Sequence, residues 1–306
     1  MSRLIFPRLG EAVIAVWGVV TIVFVVSRLL GDPTVLLLPV GATAAQMQDL
    51  RVTLGLDQPI ALQYVRFLSR AVQGDFGESY QFMRPALGVV LDRLPATLLL
   101  AAAALAAGVG IGMLAASAAA IWRGTVAEAV VMIAALLGQA TPVFWSGIML
   151  ILLFAVRFAW FPTGGFDTAG SLVLPAATLA LFTIASIARL LRASLLDALR
   201  EDHVRTARAK GVAPTLVFAR HVLRNALIPM VTMVGILAGE LLGGSVVTET
   251  VFSWPGVGRV IVQAIEAKDF PVVQAGVTVV AVIFVTVNVS VDFLYGLLDP
   301  RIREPT

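Results

Sequence analysis

The sequence has no cysteine, two histidines, two lysines and a charged fraction of only 13% in 306 residues. Each shortage excludes something. Without cysteine there are no disulfides, no thiolate metal sites and no cysteine nucleophile. His203 and His221 do not form a His-Glu-x-x-His pattern, which removes that zinc protease site. Neither Lys210 nor Lys268 follows a glycine, so the Gly-Lys-Ser/Thr loop that cradles ATP phosphates is absent. If ATP drives this protein, another polypeptide hydrolyses it. A soluble domain keeps roughly a quarter of its residues charged to wet its surface. Here 59% of residues are hydrophobic and the mean hydropathy is +0.94, as expected where lipid replaces water.

Six long apolar runs are present, near Leu9–Leu30, Ala96–Ile121, Val126–Ala155, Leu172–Leu191, Ala226–Val247 and Val272–Leu294. Each meets the roughly 20 residues needed to cross a hydrocarbon core. The first is too long for a signal-peptide core and has no small-residue cleavage site before Asp32-Pro33. It therefore reads as a true span.

Arginine placement predicts orientation. Arg3, Arg8, Arg123, the cluster from Arg192 to Arg224, Arg301 and Arg303 fall on one side if the spans alternate. The excess of positive charge marks that side as cytoplasmic, with both termini inside. The net charge of +3 is thus topological, and nucleic-acid binding is not expected. On the other side, Gly31–Arg93 balances its arginines with aspartate and glutamate. Within it, Thr43 reads as a helix N-cap, a second helix is predicted near Ile60–Val72, and Gly74–Ser79 breaks that helix. The segment reads either as a connector or as a lid or docking surface. The expected organisation is a first transmembrane helix over 1–30, an extracytoplasmic insertion over 31–95, a membrane core over 96–297 and a cytoplasmic tail over 298–306.

Within that core, segment 197–225 is the most informative. Asp202-His203-Val204-Arg205-Thr206-Ala207-Arg208-Ala209-Lys210 is polar and basic, with Gly211 suited to a left-handed C-cap and Pro214 opposing continuation. A helix, a turn and a return helix form a cytoplasmic knob, with Ala207 and Gly211 expected on one close-approach face. The same charges equally suit a juxtamembrane segment held by anionic lipid.

The segment resembles the cytoplasmic coupling motif of bacterial ABC importer permeases, in the form found in dipeptide, oligopeptide and nickel importers. Arg205-Thr206-Ala207 stands where the general motif has Glu-Ala-Ala, Gly211 matches its glycine, and His221-Val222-Leu223-Arg224 stands at its ending. These departures are similar to the peptide subgroup's own form. Leu56-Asp57-Gln58-Pro59, Gly74-Asp75-Phe76-Gly77, Leu94-Pro95-Ala96-Thr97, Thr141-Pro142-Val143-Phe144-Trp145, the stretch Glu249–Arg259 and Leu298-Asp299-Pro300-Arg301 resemble further signposts of that family along the whole chain. The insertion after the first span resembles the first ("B") permease of the pair.

The resemblance implies an all-α integral membrane protein with a type I ABC importer transmembrane domain. It implies a homologous second permease, two ATPase subunits carrying ATP and Mg, an extracytoplasmic solute-binding protein and a peptide cargo. No cofactor is expected in this chain. Arg205, Thr206, Ala207, Arg208, Ala209, Lys210 and Gly211 would form the ATPase contact. Nickel, glutathione and opine importers share the architecture, while an intramembrane enzyme or receptor is disfavoured because Ser146 has no intramembrane histidine to act as its base.

Inside the spans, Glu240 is the sharpest signal. A carboxylate at that depth costs roughly 2.5–3.5 kcal/mol on insertion scales, so it needs a partner or a wet cavity. Contact with a substrate amine, pairing with Arg189, and pairing with a second permease are the alternatives. Gln139 and Asn288 are further candidates for the translocation pathway, with Asn288 and Asp292 one helical turn apart. Glu249, Phe252 and Trp254 are candidates for an extracytoplasmic gate or docking surface. Gly235, Gly239 and Gly243 recur every four residues, a stripe that lets helices approach closely. Pro142 and Pro175 are candidate bends.

Overall fold

Long runs of Leu, Val, Ile and Ala satisfy their backbone polar groups internally only as helices, since lipid offers no hydrogen bonds. The computed structural model, which describes residues 2–29, 34, 38, 41–53 and 55–298, is accordingly helical, with one isolated antiparallel bridge between Glu78 and Pro85. The Gly31-Asp32-Pro33 turn, the Asp292 side chain and residues 299–306 lie outside what is described.

In chain order the helices are α1 (Ser2–Leu29), α2 (Ala44–Thr53), α3 (Ile60–Val72), α4 (Ala86–Ile121), α5 (Val126–Ala140), α6 (Val143–Leu150), α7 (Val173–Ala198), α8 (Asp202–Ala209), α9 (Pro214–Val217), α10 (Arg224–Val251), α11 (Val257–Glu266) and α12 (Phe270–Leu298). Five helices are long and apolar enough to cross a membrane, and a sixth crossing exists if α5 and α6 form one span.

That sixth case differs from the expected single run over Val126–Ala155. The helix breaks at Thr141-Pro142, and the two halves diverge by 109°. Thr141 is held extended at ψ 130°, as the residue before proline prefers, and Pro142 then opens α6. Pro175 has no such effect. It lies in the first turn of α7, where backbone N–H groups have no helical acceptor anyway. The second span also begins ten residues earlier than its apolar run, because α4 passes through Asp92-Arg93 and Pro95 without stopping.

The chain divides into two compact units. One comprises Ser2–Thr97 and Pro255–Val285. In it, α3 lies on α1 through Phe24, whose ring centroid is 5.3 Å from those of both Tyr64 and Phe67. Thr43 caps α2 reciprocally with Gln46, as its position predicts. A buried carboxylate, Asp269, accepts hydrogen bonds from the Ser79 hydroxyl and the Gln81 amide, tying the turn after α3 to the turn before α12. Burial raises the neighbouring Tyr80 hydroxyl above its ordinary pKa, with Arg28 opposing and Asp269 adding to the shift.

The other unit comprises Leu98–Trp254 and Thr286–Thr306. Its centre is α7, the most buried of the candidate spans, which packs against α5 and α10. Gly108 and Gly112 on α4 also meet it: a side chain at Gly108 would strike Thr183, and one at Gly112 would strike Ile187. Small residues four apart thus substitute for a hydrophobic drive that lipid cannot supply.

Candidate functional site

The knob forms as its sequence requires. Helix α8 ends at Ala209, and Gly211 takes the left-handed conformation at φ 76°. The Val212 amide donates to the Ala207 carbonyl and the Gly211 amide to that of Arg208, which is a Schellman closure. Pro214 then starts α9 at a position that needs no amide donor. The chain continues through a π turn over Phe218–Leu223 directly into α10.

The faces of α8 differ from expectation. Ala207 does not share an exposed face with Gly211; it is buried with Val204 against Val217, Val222 and Ala226. Arg205, Thr206, Arg208, Ala209, Lys210 and Gly211 remain exposed. The reason is that α8 needs an apolar footing on its own chain, and Val204 and Ala207, three residues apart, supply it. Asn225 and the His221 carbonyl both reach the His203 ring, at 3.2 and 3.3 Å, closing the knob from its far side.

One anchor of this region was missed in the sequence. Glu128, in the first turn of α5, accepts from the Gly124 amide and from Arg192 of α7, whose Nε lies 2.7 Å away. The Thr125-x-x-Glu128 spacing is a capping-box signature that makes this residue findable. The pair pins the loop before α5 to the last part of α7, just ahead of the knob. Replacing Arg192 with alanine is expected to lower the thermal unfolding midpoint of the purified chain. The Glu128→Gln/Arg192→Ala double variant should lose less than the two single losses added, because each single change strands its partner.

Glu240 lies on an exposed face of α10 and makes no hydrogen bond or ion pair among the described residues. Arg189 is likewise exposed and does not pair with it. The glycine stripe divides. A side chain at Gly235 would lie 2.3 Å from Val291 of α12, so that glycine serves packing within the chain. Gly239 is buried, whereas Gly243 faces open space. Gln139 and Asn288 are half-buried.

Glu249, Phe252 and Trp254 do not offer a docking surface, for all three are buried at 1% exposure or less. A second Schellman closure ends α10 here, with Ser253 at φ 52° and the Trp254 amide donating to the Glu249 carbonyl at 2.8 Å. The Ser245 hydroxyl donates to the Glu249 carboxylate at 3.2 Å. The Phe252 carbonyl accepts from the Gly165 amide at 2.9 Å, and Phe166 sets its ring edge-on to Trp254 at 4.8 Å. These residues clamp the loop before α7 from the inside.

Residues 108–304 match the family described as the binding-protein-dependent transport system inner membrane component, and residues 1–101 match that family's N-terminal region. The chain belongs to this family. It is a permease, the non-catalytic transmembrane subunit of a binding-protein-dependent ABC importer, and a multi-pass inner-membrane protein. Membership brings ABC ATPase and binding-protein partners. The N-terminal region is typical of peptide and glutathione permeases.

Among its relatives, a provisionally named peptide transport system permease protein of Brucella abortus is 39% identical over 99% of both chains. The glutathione transport system permease protein of Escherichia coli K12 is 41% identical, again over 99% of each. The crystal structure of an amino acid ABC transporter with histidines matches with a TM-score of 0.53 at 18% identity. That match covers 70% of this permease and 94% of the other chain, and supports the fold.

Proposed function

We propose that this permease imports short peptides, pairing with a homologous second permease and taking cargo from an extracytoplasmic binding protein. The observation that carries this reading is full-length similarity near 40% to relatives named for peptide and glutathione transport. Glutathione is itself a small peptide, so both names describe one cargo chemistry: amide-linked, with a free amino group and carboxylates. The chain's own inventory agrees. Passage of a soft metal favours thiolate, thioether or imidazole ligands. The two histidines are both in the knob and there is no cysteine, so methionine thioether is the one such ligand type within the spans.

In this reading α8 and its turn contact the ATPases, with Arg205, Thr206, Arg208, Ala209, Lys210 and Gly211 forming the touching surface. Ala207 acts from beneath by seating the helix. Both termini lie on that cytoplasmic side. Val204 and Ala207 share one apolar cluster with residues of α7, the π turn and α10, which supports a knob that moves with the spans rather than independently.

The test is uptake by proteoliposomes holding the complete importer with its binding protein. ATP-dependent accumulation of a labelled dipeptide is the expected result, with glutathione competing. Accumulation of glutathione without any dipeptide uptake would assign the narrower cargo. Accumulation of neither dipeptide nor glutathione by a fully assembled, ATP-hydrolysing importer would refute the reading.

A further inference from the structure

We infer that Glu240 is a specificity residue on the translocation path, where its carboxylate receives the ammonium group of a passing peptide.

Position is the first observation. Glu240 lies eleven residues in from each end of the Pro229–Val251 span, or roughly 16 Å from either end at 1.5 Å per residue. That is the middle of a hydrocarbon core about 30 Å thick. A carboxylate facing lipid there is strongly disfavoured, so this face of α10 meets protein or water.

The second observation is that no ion-pair partner for Glu240 exists among the described residues. It forms no hydrogen bond among them either, and the exposed Arg189 does not serve it. The two lysines lie outside the spans.

The third is the shape of the surroundings. Ile236, Glu240, Gly243, Gly244 and Val247 are all exposed and lie at helical spacing on one stripe. A side chain built on Gly243 or Gly244 would find nothing within 4 Å. The helix surface one turn beyond the carboxylate is therefore left uncovered by this chain. Gly235 on the same helix shows what a packing glycine looks like by contrast, being filled by Val291.

A second permease packed on the open glycines with a cation facing Glu240 is the competing arrangement, and it is the one that loss of assembly in the test below would reveal. Burying such a pair in an interface gains little over apolar packing. A wet path keeps the carboxylate hydrated between cargoes and lets an ammonium replace water in each cycle. Weak, transient attraction is what transport needs, since a tight site would retain the peptide. The inference rests on the peptide reading above, because every unmodified peptide carries an amino group.

The experiment uses the complete importer in proteoliposomes, with dialanine and N-acetyldialanine as cargoes, both supplied above saturation of the binding protein. Uptake by the unaltered importer tests the peptide reading first: if neither dialanine nor glutathione accumulates, that reading fails and the inference falls with it, whereas the cargo ratio in the variants tests the inference alone. Given that uptake, Glu240→Gln is expected to lower the dialanine rate about tenfold relative to N-acetyldialanine, while Glu240→Asp keeps most of the preference. An unchanged ratio between the two cargoes in a fully assembled Gln variant would overturn the inference. So would loss of the second permease on purification of that variant, which would assign Glu240 to subunit pairing.

Discussion

Substituting Gly211 with leucine is expected to reduce uptake by the assembled importer at least a hundredfold while leaving membrane insertion intact. Two effects combine. At φ 76° a leucine pays about 1–2 kcal/mol for the left-handed backbone. Apart from the adjoining residues, no atom of the chain lies within 4 Å of a Cβ built there, so the first carbon of the side chain meets no obstacle in the fold. The damage falls instead on whatever approaches the exposed turn. Asparagine separates the two, since it tolerates the left-handed region yet adds bulk. Loss of uptake in both variants, with normal yield of the complex, identifies a contact surface. Full uptake in the asparagine variant would assign the leucine effect to the turn alone, and wild-type uptake in both would remove the knob from coupling.

Gly164→Val is expected to have the larger effect on the fold. A side chain at Gly164 would sit 2.2 Å from the Phe252 carbonyl oxygen, a backbone atom that cannot swing aside. Relief requires the loop to leave α10, breaking the Gly165 hydrogen bond and uncovering Phe252 and Trp254. Overpacking of this kind commonly costs about 1–3 kcal/mol, and here the loss of two aromatic seats adds to it. Yield of the detergent-extracted chain and its monodispersity report the outcome. A valine variant extracted like the wild type, with its unfolding midpoint unchanged, would mean that the clamp contributes nothing.

The architecture was readable in the sequence wherever one physical rule dominated. Apolar runs located the spans, Thr43 announced a cap, and Gly211 with Pro214 announced the knob's turn. The misreadings share a cause, which is that composition says how apolar a stretch is but not what it packs against. Val126–Ala155 reads as one span because a 109° break costs no hydropathy. Ala207 reads as surface because alanine suits either side of a helix, and only the partners Val217 and Val222 settle it. Glu249, Phe252 and Trp254 read as a gate or docking surface, yet all three are buried where α10 ends in the closure at Ser253. Glu240 was legible as an anomaly from its depth alone. The uncovered surface beside it was not, because glycine can mean either contact or vacancy.

The helical path from Pro214 through the π turn to Val251 has a geometric consequence. Its lower end is fastened to α8 through Val217, Val222 and Ala226, and Glu240 lies roughly 21 Å beyond Ala226 along α10 at 1.5 Å per residue. Treated as a rod pivoting at Ala226, a tilt of about 8° would sweep that carboxylate sideways by about 3 Å, close to the length of a hydrogen bond. A small angular displacement imposed at the membrane surface is therefore enough to bring a charged group at mid-depth into reach of a ligand or carry it out of reach.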